Sequence, residues 1–176
     1  FDVVCYEGNG VAGRQIPHSL NKTPEMMWVK RRNAGGYWLV YHKGVNGGTS
    51  PEDYYMRLDD SAAQVDSDQF YDTAPTSTHF TVNSYSYINT ASSKYIAMLF
   101  ASVSGVSSVG SYSGSSSDKF VNLGFQPRLF ICKARDSSGV SVKWNIFDST
   151  RGISGASTKR MFLNTEHPCT FYGKKE

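Results

Sequence analysis

Short apolar runs alternate with polar, turn-rich stretches along most of this chain. Residues 26–31 and 37–42 are apolar runs joined by Asn-Ala-Gly-Gly, which is the pattern of a β-hairpin. Residues 79–83 alternate polar and apolar positions, as a strand with one solvated face does. Residues 95–103 form a longer run rich in aromatic and β-branched side chains, which favours a buried strand over a helix. The pattern therefore predicts an all-β fold.

Helix signals are confined to one short segment. Residues 51–56 predict a short helix, with Ser50 as its N-cap and Pro51 at its first helical position. The composition otherwise supports β structure, since the chain has 11 Tyr and 10 Phe and only 19% charged residues. Aromatic residues suit a pleated, half-buried surface, and helical proteins usually carry more Glu and Lys.

An internal repeat is the most informative feature of the sequence. Matching Leu, Pro, Lys, Arg, Tyr and Trp positions recur in the same order at offsets of 103 to 106 residues, with insertions confined to the turns. The aligned segments are Tyr6 with Tyr112, residues 20–33 with 123–136, residues 38–42 with 144–148, and residues 56–58 with 161–163. Strand pairing is sensitive to register, so indels in turns are what a repeated strand pattern should show.

The repeat predicts how the chain is organised. We expect a first β repeat over residues 1–105 and a second over residues 106–176, packed together as one β-sandwich of the jelly-roll type. Residues 102–117 contain nine Ser, but their alignment with the start of the first repeat predicts a strand and turn at 109–114 rather than a linker. The second repeat is incomplete relative to the first, so either the repeats are unequal or the chain is a fragment.

Five segments together resemble a module of tailed-phage tail-fibre and other virion proteins, notably those of marine phages. They are residues 6–20, 24–32, 38–42, 71–80 and 95–100. The resemblance implies a location on the virion surface, in a tail fibre above all. The cysteine usage fits assembly in the reducing cytoplasm of a host bacterium. The resemblance implies no reaction. The chain departs from the module in its Ser-rich second turn, residues 115–117, and in its shortened end.

Charge, hydrophobicity and cysteine usage argue against several classes of function and site. The net charge is +3, too mild for a nucleic-acid partner, and the basic run Lys30–Arg32 is better explained as a strand entering solvent than as a phosphate site. No run reaches 18 apolar residues, so we expect no membrane insertion. Cys5, Cys132 and Cys169 are odd in number and widely spaced, which argues against a disulfide framework or a CxxC metal site.

Residues that could support catalysis or bind a metal show no convincing pattern. His18, His42, His79 and His167 are scattered, and the second repeat has Asp148 where the first has His42. We therefore expect no enzyme activity and no cofactor. Asp59, Asp60, Asp66 and Asp68 could supply oxygen ligands to Ca²⁺, but they lack the spacing of an EF-hand loop, so a solvated loop is the safer interpretation.

A glycan site is the remaining chemical possibility. Aromatic rings beside amide and carboxylate groups occur in and around the loop 43–55. The candidate ligand-binding residues are Tyr37, Tyr41, Asn46, Asp53, Tyr54 and Tyr55. Packing of the same tyrosines in the core or against a neighbouring subunit is the competing interpretation. Trp38 and Trp144 are assigned to the core because both lie at equivalent positions in apolar strands.

The sequence thus predicts a structural virion component whose partners are other virion proteins and a host surface glycan. A homo-oligomer, with a trimer favoured, would cover exposed strand edges. The alternatives are a carbohydrate-binding module of a larger enzyme and a capsid-decorating protein. An enzyme that degrades polysaccharide ranks below both.

Overall fold

The computed structural model describes residues 1–136, 143–151, 157–163 and 170–173. His167 and Cys169 lie outside the described residues. The strands are β1 (Asp2–Glu7), β2 (Arg14–Pro17), β3 (Met26–Arg31), β4 (Leu39–His42), β5 (Tyr54–Arg57), β6 (Val65–Asp66), β7 (His79–Val82), β8 (Lys94–Phe100), β9 (Leu129–Cys132), β10 (Asn145–Asp148), β11 (Ser157–Phe162) and β12 (Thr170–Gly173).

All pairings between these strands are antiparallel. A six-stranded sheet has the order β1-β8-β3-β4-β5-β6, a four-stranded sheet the order β12-β11-β10-β9, and β2 pairs with β7. Within the first sheet, β3, β4 and β5 are consecutive and β8 returns after a long connection to lie beside β3. That order is a Greek key, the building unit of jelly rolls. The all-β prediction is confirmed.

The main core lies on one face of the six-stranded sheet. Strand alternation directs Met27, Val29, Leu39 and Leu99 to this face, and each of them is completely buried or nearly so. The β2–β7 ribbon covers them with Ile16, Phe80 and Val82, joined by Phe70 and Ile88 from the connecting loops. Burying a side chain of this size stabilises the fold by roughly 1.5–3 kcal/mol.

The two repeats have the same strand register. In the first repeat Met26 faces His42 and Val40 faces Met56; at the repeat offsets, Leu129 faces Asp148 and Ile146 faces Met161. Two backbone hydrogen bonds beyond the strand ends also recur. The amide of Lys43 donates to the carbonyl of Glu25 (2.8 Å), and in the second repeat the amide of Ser149 donates to the carbonyl of Arg128 (2.9 Å). Likewise, the amide of Leu58 donates to the carbonyl of Trp38 (3.0 Å), and the amide of Leu163 donates to the carbonyl of Trp144 (3.2 Å).

The repeats pack through the second face of the six-stranded sheet. Trp144 is 3% exposed and lies against Val40, Met56 and Leu58, with Ile131 beside them. Its indole N–H donates to the carbonyl of Arg57 (2.7 Å). Trp38, at the equivalent position of the first repeat, is half-buried at the rim of this cluster. Both tryptophans therefore contribute to the contact between the repeats, but unequally.

Polar contacts surround this apolar contact. Arg135 donates to the carbonyl of Gly44 (2.7 Å), and its own carbonyl accepts the amide of Gln64 (2.9 Å). Lys133 donates to the carbonyl of Asp60 (3.0 Å). Three backbone groups of the first repeat thus have hydrogen-bond partners in the second repeat.

Two local predictions are wrong. The segment expected to be helical forms only a single 3-10 turn, Pro51–Asp53, before the chain extends into β5; Ser50 makes no side-chain cap and has a left-handed backbone (φ 40°). Residues 109–114 form no strand and lie in an exposed stretch. The reason is topological. The matching strand β1 pairs only with β8, and no described strand occupies the place of β8 in the second repeat.

Candidate functional site

Two of the candidate ligand-binding tyrosines belong to the core. Tyr41 is 4% exposed, and its ring contacts Phe70 edge to face with centroids 5.7 Å apart. Burial, with the Glu52 charge adding to it, raises the pKa of Tyr41 to about 12. Tyr55 is also buried and accepts a hydrogen bond from Arg57 (3.3 Å). These rings pack inward, so neither presents a face to a ligand.

Tyr37 is exposed, but its ring already has neighbours. The Arg57 guanidinium lies 4.0 Å from its centroid, and the Tyr87 ring lies 5.2 Å away. Arg57 is held in place by an ion pair with Asp60 (3.0 Å). The cation therefore occupies one face of Tyr37.

The other three candidates shape the loop or border an acidic surface. The Asn46 side chain donates to the Thr49 carbonyl (2.9 Å), while its amide N–H donates to Gln64 Oε1 (2.6 Å). The carbonyl of Asp53 accepts the amide of Ser67 (2.8 Å). Partial desolvation, and then the hydrogen bond between the Tyr54 hydroxyl and Asp66, raise the pKa of Tyr54.

The weak metal candidates have separate partners. Asp59 accepts the amide of Trp38 (3.1 Å), Asp66 pairs with Tyr54, and Asp68 binds Asn83 and Tyr85. In the described ranges, no group of three or more His, Cys, Asp or Glu side chains is arranged to hold a metal ion.

A different group of residues forms the most developed surface site, which we call the Asp68 surface: Asp68, Tyr71, Asp72, Asn83 and Tyr85. The buried side chain of Asn83 donates to the Asp68 carboxylate (Oδ2, 2.7 Å) and to its carbonyl (3.1 Å). The Tyr85 hydroxyl donates to the other carboxylate oxygen (Oδ1, 2.8 Å). Asp68 is therefore fixed in orientation at the junction of two turns.

The backbone of this surface is strained. Tyr71 and Asp72 are consecutive and both left-handed (φ 58° and 42°), which costs L-residues roughly 1–2 kcal/mol each. The Tyr71 amide donates to the Asp68 carbonyl (2.9 Å), and its ring passes so close to Gly13 that a Cβ there would lie 3.0 Å from it. Strain kept in a folded protein is a recognised sign of function, so it supports a functional hypothesis here.

The Asp68 surface exposes two aromatic rings beside carboxylates. Tyr71 is 47% exposed and Tyr85 is 42% exposed. Partial desolvation, and then the charges of Asp53, Asp68, Asp66 and Glu52, raise the pKa of Asp72. The surface is therefore locally negative on a chain whose net charge is +3.

Sequence reasoning missed Tyr71, Asp72, Asn83 and Tyr85 as site residues. The structure brings them to Asp68, and it places Asp53 and Tyr54 at the border of the same acidic region. The available signal was weak: a Tyr-Asp pair at 71–72 and an Asn-Ser-Tyr at 83–85, both in turn-rich stretches.

A shallow depression of about 370 Å³ lies along β1 and is lined by Cys5 and His18 among others. A cysteine beside a histidine is a pair that could support nucleophilic chemistry. However, His18 Nδ1 lies 3.3 Å from the amide of Leu20, which donates to it, and Nε2 lies 3.2 Å from the Thr76 carbonyl. Since backbone groups engage both ring nitrogens, the ring would have to turn before it could serve Cys5.

Comparison with known proteins places this architecture in a family. Residues 1–172 match the family model described as a domain of unknown function, DUF7483. The chain belongs to this family. The match spans both repeats, so the family domain includes the Asp68 surface and the packed contact between the repeats. Neither the curated proteins nor the solved structures contain a significant match. In the part of the chain that the structure describes, no helix has the length and apolarity needed to cross a membrane.

Proposed function

We propose that this chain is a structural and adhesive domain of a phage tail fibre or similar virion appendage, and that it contacts a host surface glycan through the Asp68 surface. The resemblance of residues 6–20 and 71–80 to the tail-fibre module supports the location. The observation that carries the adhesive part is the pair of exposed tyrosine rings flanking the fixed carboxylate of Asp68.

The chemistry of the Asp68 surface suits sugars. A tyrosine ring offers an apolar face for the C–H side of a pyranose, and a carboxylate accepts hydrogen bonds from sugar hydroxyls. Because Asp68 is already oriented by Asn83, binding would lose little side-chain entropy. The surrounding carboxylates repel anions, so the expected ligands are neutral or amino sugars rather than uronic or sialic acids.

The rest of the fold suits a structural role. The free edge of β1 is shortened at both ends, since the Asp2 carboxylate accepts the amide of Val3 (2.8 Å) and Arg14 donates to the carbonyl of Glu7. Edge strands blunted in this way resist unwanted association. Other virion proteins and further copies of the chain, a trimer above all, are the partners that the proposal implies.

A glycan array with the purified chain tests the adhesive part. We expect selective binding of neutral or amino-sugar glycans, lowered by about tenfold or more in Tyr85→Ala and Tyr71→Ala, because ring stacking contributes much of the contact energy. Asp68→Asn should weaken binding while leaving the fold intact. Tyr112→Ala, which removes an equally exposed ring far along the sequence, is the matched control and should bind normally. Equal loss in the control, or no binding by the parent chain, would contradict the proposal.

The Asp68 surface would serve a carbohydrate-binding module of a larger enzyme equally well. Location separates the two functions. Antibody labelling of intact particles in the electron microscope should mark the tail fibre; a capsid label would indicate a decorating protein, and the absence of the chain from particles would favour the enzyme-linked module.

A further inference from the structure

The loop that directly follows β4 contacts the second repeat. Its residue Val45 is 1% exposed and belongs to the buried cluster that contains Trp144. The carbonyl of Gly44 accepts a hydrogen bond from Arg135 of the second repeat (2.7 Å), and a Cβ on Gly44 would lie only 2.8 Å from the Cβ of Ser111. The contact between the repeats therefore depends on the position of Gly44.

A histidine ring fixes Gly44 from the side of the first repeat. The Nδ1 atom of His42 accepts the amide N–H of Gly44 (2.9 Å), so His42 and Arg135 hold the same glycine. Strand alternation places His42 on the face of the sheet that carries Val40, which packs against Trp144. We call His42, Gly44 and Arg135 the His42 latch.

The His42 latch needs a neutral ring. A neutral imidazole has one nitrogen that accepts a hydrogen bond, whereas both nitrogens of the imidazolium carry a proton. Protonation would therefore turn Nδ1 of His42 from an acceptor into a donor that faces the N–H of Gly44. The amide of Gly44 would lose its acceptor within a packed contact, which disfavours the closed arrangement of the repeats.

The charges around His42 oppose one another. The titratable and charged groups on the elements packed around it are Lys43 after β4, Glu25 before β3, Tyr54 at the start of β5, and Arg135 with its ion-pair partner Asp136 in the second repeat. Burial, assisted by the charge of Lys43 and opposed by that of Glu25, lowers the pKa of His42 to about 4. Burial would raise the pKa of Glu25, but its hydrogen bonds to Lys43 and Ser102 outweigh burial and lower that pKa. The closed contact thus keeps His42 neutral at a pH where a solvated imidazole is protonated.

We propose that the His42 latch makes the contact between the repeats sensitive to acid: protonation of His42 releases Gly44, and the second repeat separates from the second face of the six-stranded sheet while the first repeat stays folded. The main core supports the last part, because its described members all belong to the first repeat and lie on the opposite face of that sheet. Histidine protonation opens interfaces elsewhere by the same loss of an acceptor. None of the latch residues belongs to the Asp68 surface, so either proposal can fail without the other.

Proton linkage gives the direction and size of the effect. The ring of His42 has a pKa of about 4 in the closed contact and regains the ordinary value of 6.5 when the contact opens into water. The open form therefore binds the proton more tightly, so acid favours it, and the contact is most stable above pH 6.5. Between pH 7 and pH 4.5 the ratio of open to closed molecules should rise about 50-fold.

Hydrogen exchange of the whole chain, followed by NMR at pH 7 and pH 4.5 and corrected for the intrinsic exchange rates, tests the proposal. The Gly44 amide reports on the latch, and the Trp144 indole N–H, which donates to the carbonyl of Arg57, reports on the second repeat. Protection of both should fall about 50-fold in acid, whereas the amides of β8 should keep most of their protection.

Two histidine variants identify the sensor. His42→Asn keeps an acceptor near Gly44 but does not titrate, so the protection of the Trp144 indole should hardly change between the two pH values. His18→Asn is the matched control, because Nδ1 of His18 accepts the amide of Leu20 (3.3 Å) in the same two-residue arrangement and Nε2 also has its partner in the first repeat. This control should respond to acid as the parent chain does.

An NMR titration of the His42 ring in the parent chain gives a second measurement that stays decisive if His42→Asn does not fold. The ring should titrate with a pKa of about 4 in the parent chain, and close to 6.5 in Trp144→Ala, in which the contact is weakened. Equal values in the two proteins would overturn the proposal. So would an equal loss of protection in β8 and at Trp144, which means global unfolding, or a full acid response in His42→Asn, which means that another group, Glu25 above all, is the sensor.

Discussion

His42 and Asp148 occupy the same position in the two repeats, and both accept a backbone hydrogen bond there, one through a ring nitrogen and the other through a carboxylate oxygen. Each accepts the amide of the residue two positions on: His42 Nδ1 from Gly44 (2.9 Å) and Asp148 Oδ1 from Thr150 (3.1 Å). A ring acceptor suits the first repeat because the site is covered by the second repeat, whose Arg135 binds the Gly44 carbonyl. A carboxylate suits the second repeat because Arg151 pairs with it and neutralises its charge.

The buried His42 makes stability depend on pH. Burial, assisted by the charge of Lys43 and opposed by that of Glu25, lowers the pKa of His42 from 6.5 to about 4. Below pH 6.5 the unfolded chain binds a proton that the folded chain does not. The contribution of neutral His42 to the free energy of unfolding is therefore complete above pH 6.5 and is lost as the pH falls towards 4. The difference between the two values corresponds to about 3 kcal/mol.

Urea unfolding at pH 7 and at pH 4.5 measures this effect. The free energy of unfolding of the parent chain should fall from pH 7 to pH 4.5. In His42→Asn, which keeps an acceptor but does not titrate, this fall should be smaller by about 2 kcal/mol. An identical loss in both proteins would mean that other groups dominate the acid response.

At the scale of strands, a cation and a ring have exchanged places between the repeats. Arg57 of β5 lies over Tyr37 before β4 (4.0 Å), and Lys143 before β10 lies over Phe162 of β11 (4.8 Å). The pairs are equivalent at the repeat offsets. The interaction is kept although neither residue type is, which indicates that the contact itself fixes the approach of these neighbouring strands.

A swap variant tests that interpretation. Tyr37→Lys alone places two cations together, and Arg57→Phe alone removes the cation. The double variant Tyr37→Lys, Arg57→Phe recreates the arrangement of the second repeat, so it should be about 0.5–1 kcal/mol more stable than the sum of the single effects predicts. Thermal or urea unfolding of the four proteins gives this coupling free energy, and strict additivity would contradict it.

The sequence was a good guide to strands whose pairing partners are themselves apolar runs. Residues 26–31 were predicted to be a strand and are β3, because alternation and turn chemistry are local signals. The prediction of a strand at residues 109–114 was wrong because a strand needs a neighbouring strand to pair with. A local sequence pattern does not show whether that neighbour is present. The Asp68 surface could not be predicted from the sequence for a similar reason, since Asn83 and Asp68 meet only through tertiary packing.

Tyr41 and Tyr55 show the limit of composition as a guide to binding sites. Their loop has the residue types of a sugar site, but both rings pack in the core. Strand alternation could assign Tyr41 and Leu39 to a common face, but it could not say that the β2–β7 ribbon covers that face. The exposed rings are instead Tyr71 and Tyr85, which follow strand ends and belong to turns.

At the scale of the whole molecule, the repeats are joined by packing more than by the connecting chain. Residues 104–128 contain exposed coil with no strand, whereas Trp144 and its neighbours form a buried cluster with the first repeat. The contact carries direct hydrogen bonds from Trp144, Lys133 and Arg135 to backbone carbonyls of the first repeat. The connection could therefore be cut without separating the halves.

Limited trypsin digestion tests that expectation, because Lys119 lies in the exposed stretch. After cleavage there, the fragments 1–119 and 120–176 should elute together in size-exclusion chromatography as a particle of the parent mass, 19.5 kDa. Trp144→Ala should let the nicked fragments separate, since removing a buried tryptophan costs about 3–5 kcal/mol and weakens association by a factor of about 100 to 4,000. Trp144→Phe, which keeps a ring but loses the bond to Arg57, should have an intermediate effect. Lys119→Gln should resist cleavage and confirm the cut site. Separation of the parent fragments in native buffer would instead show that the connecting chain, and not the packed tryptophan, holds the repeats together.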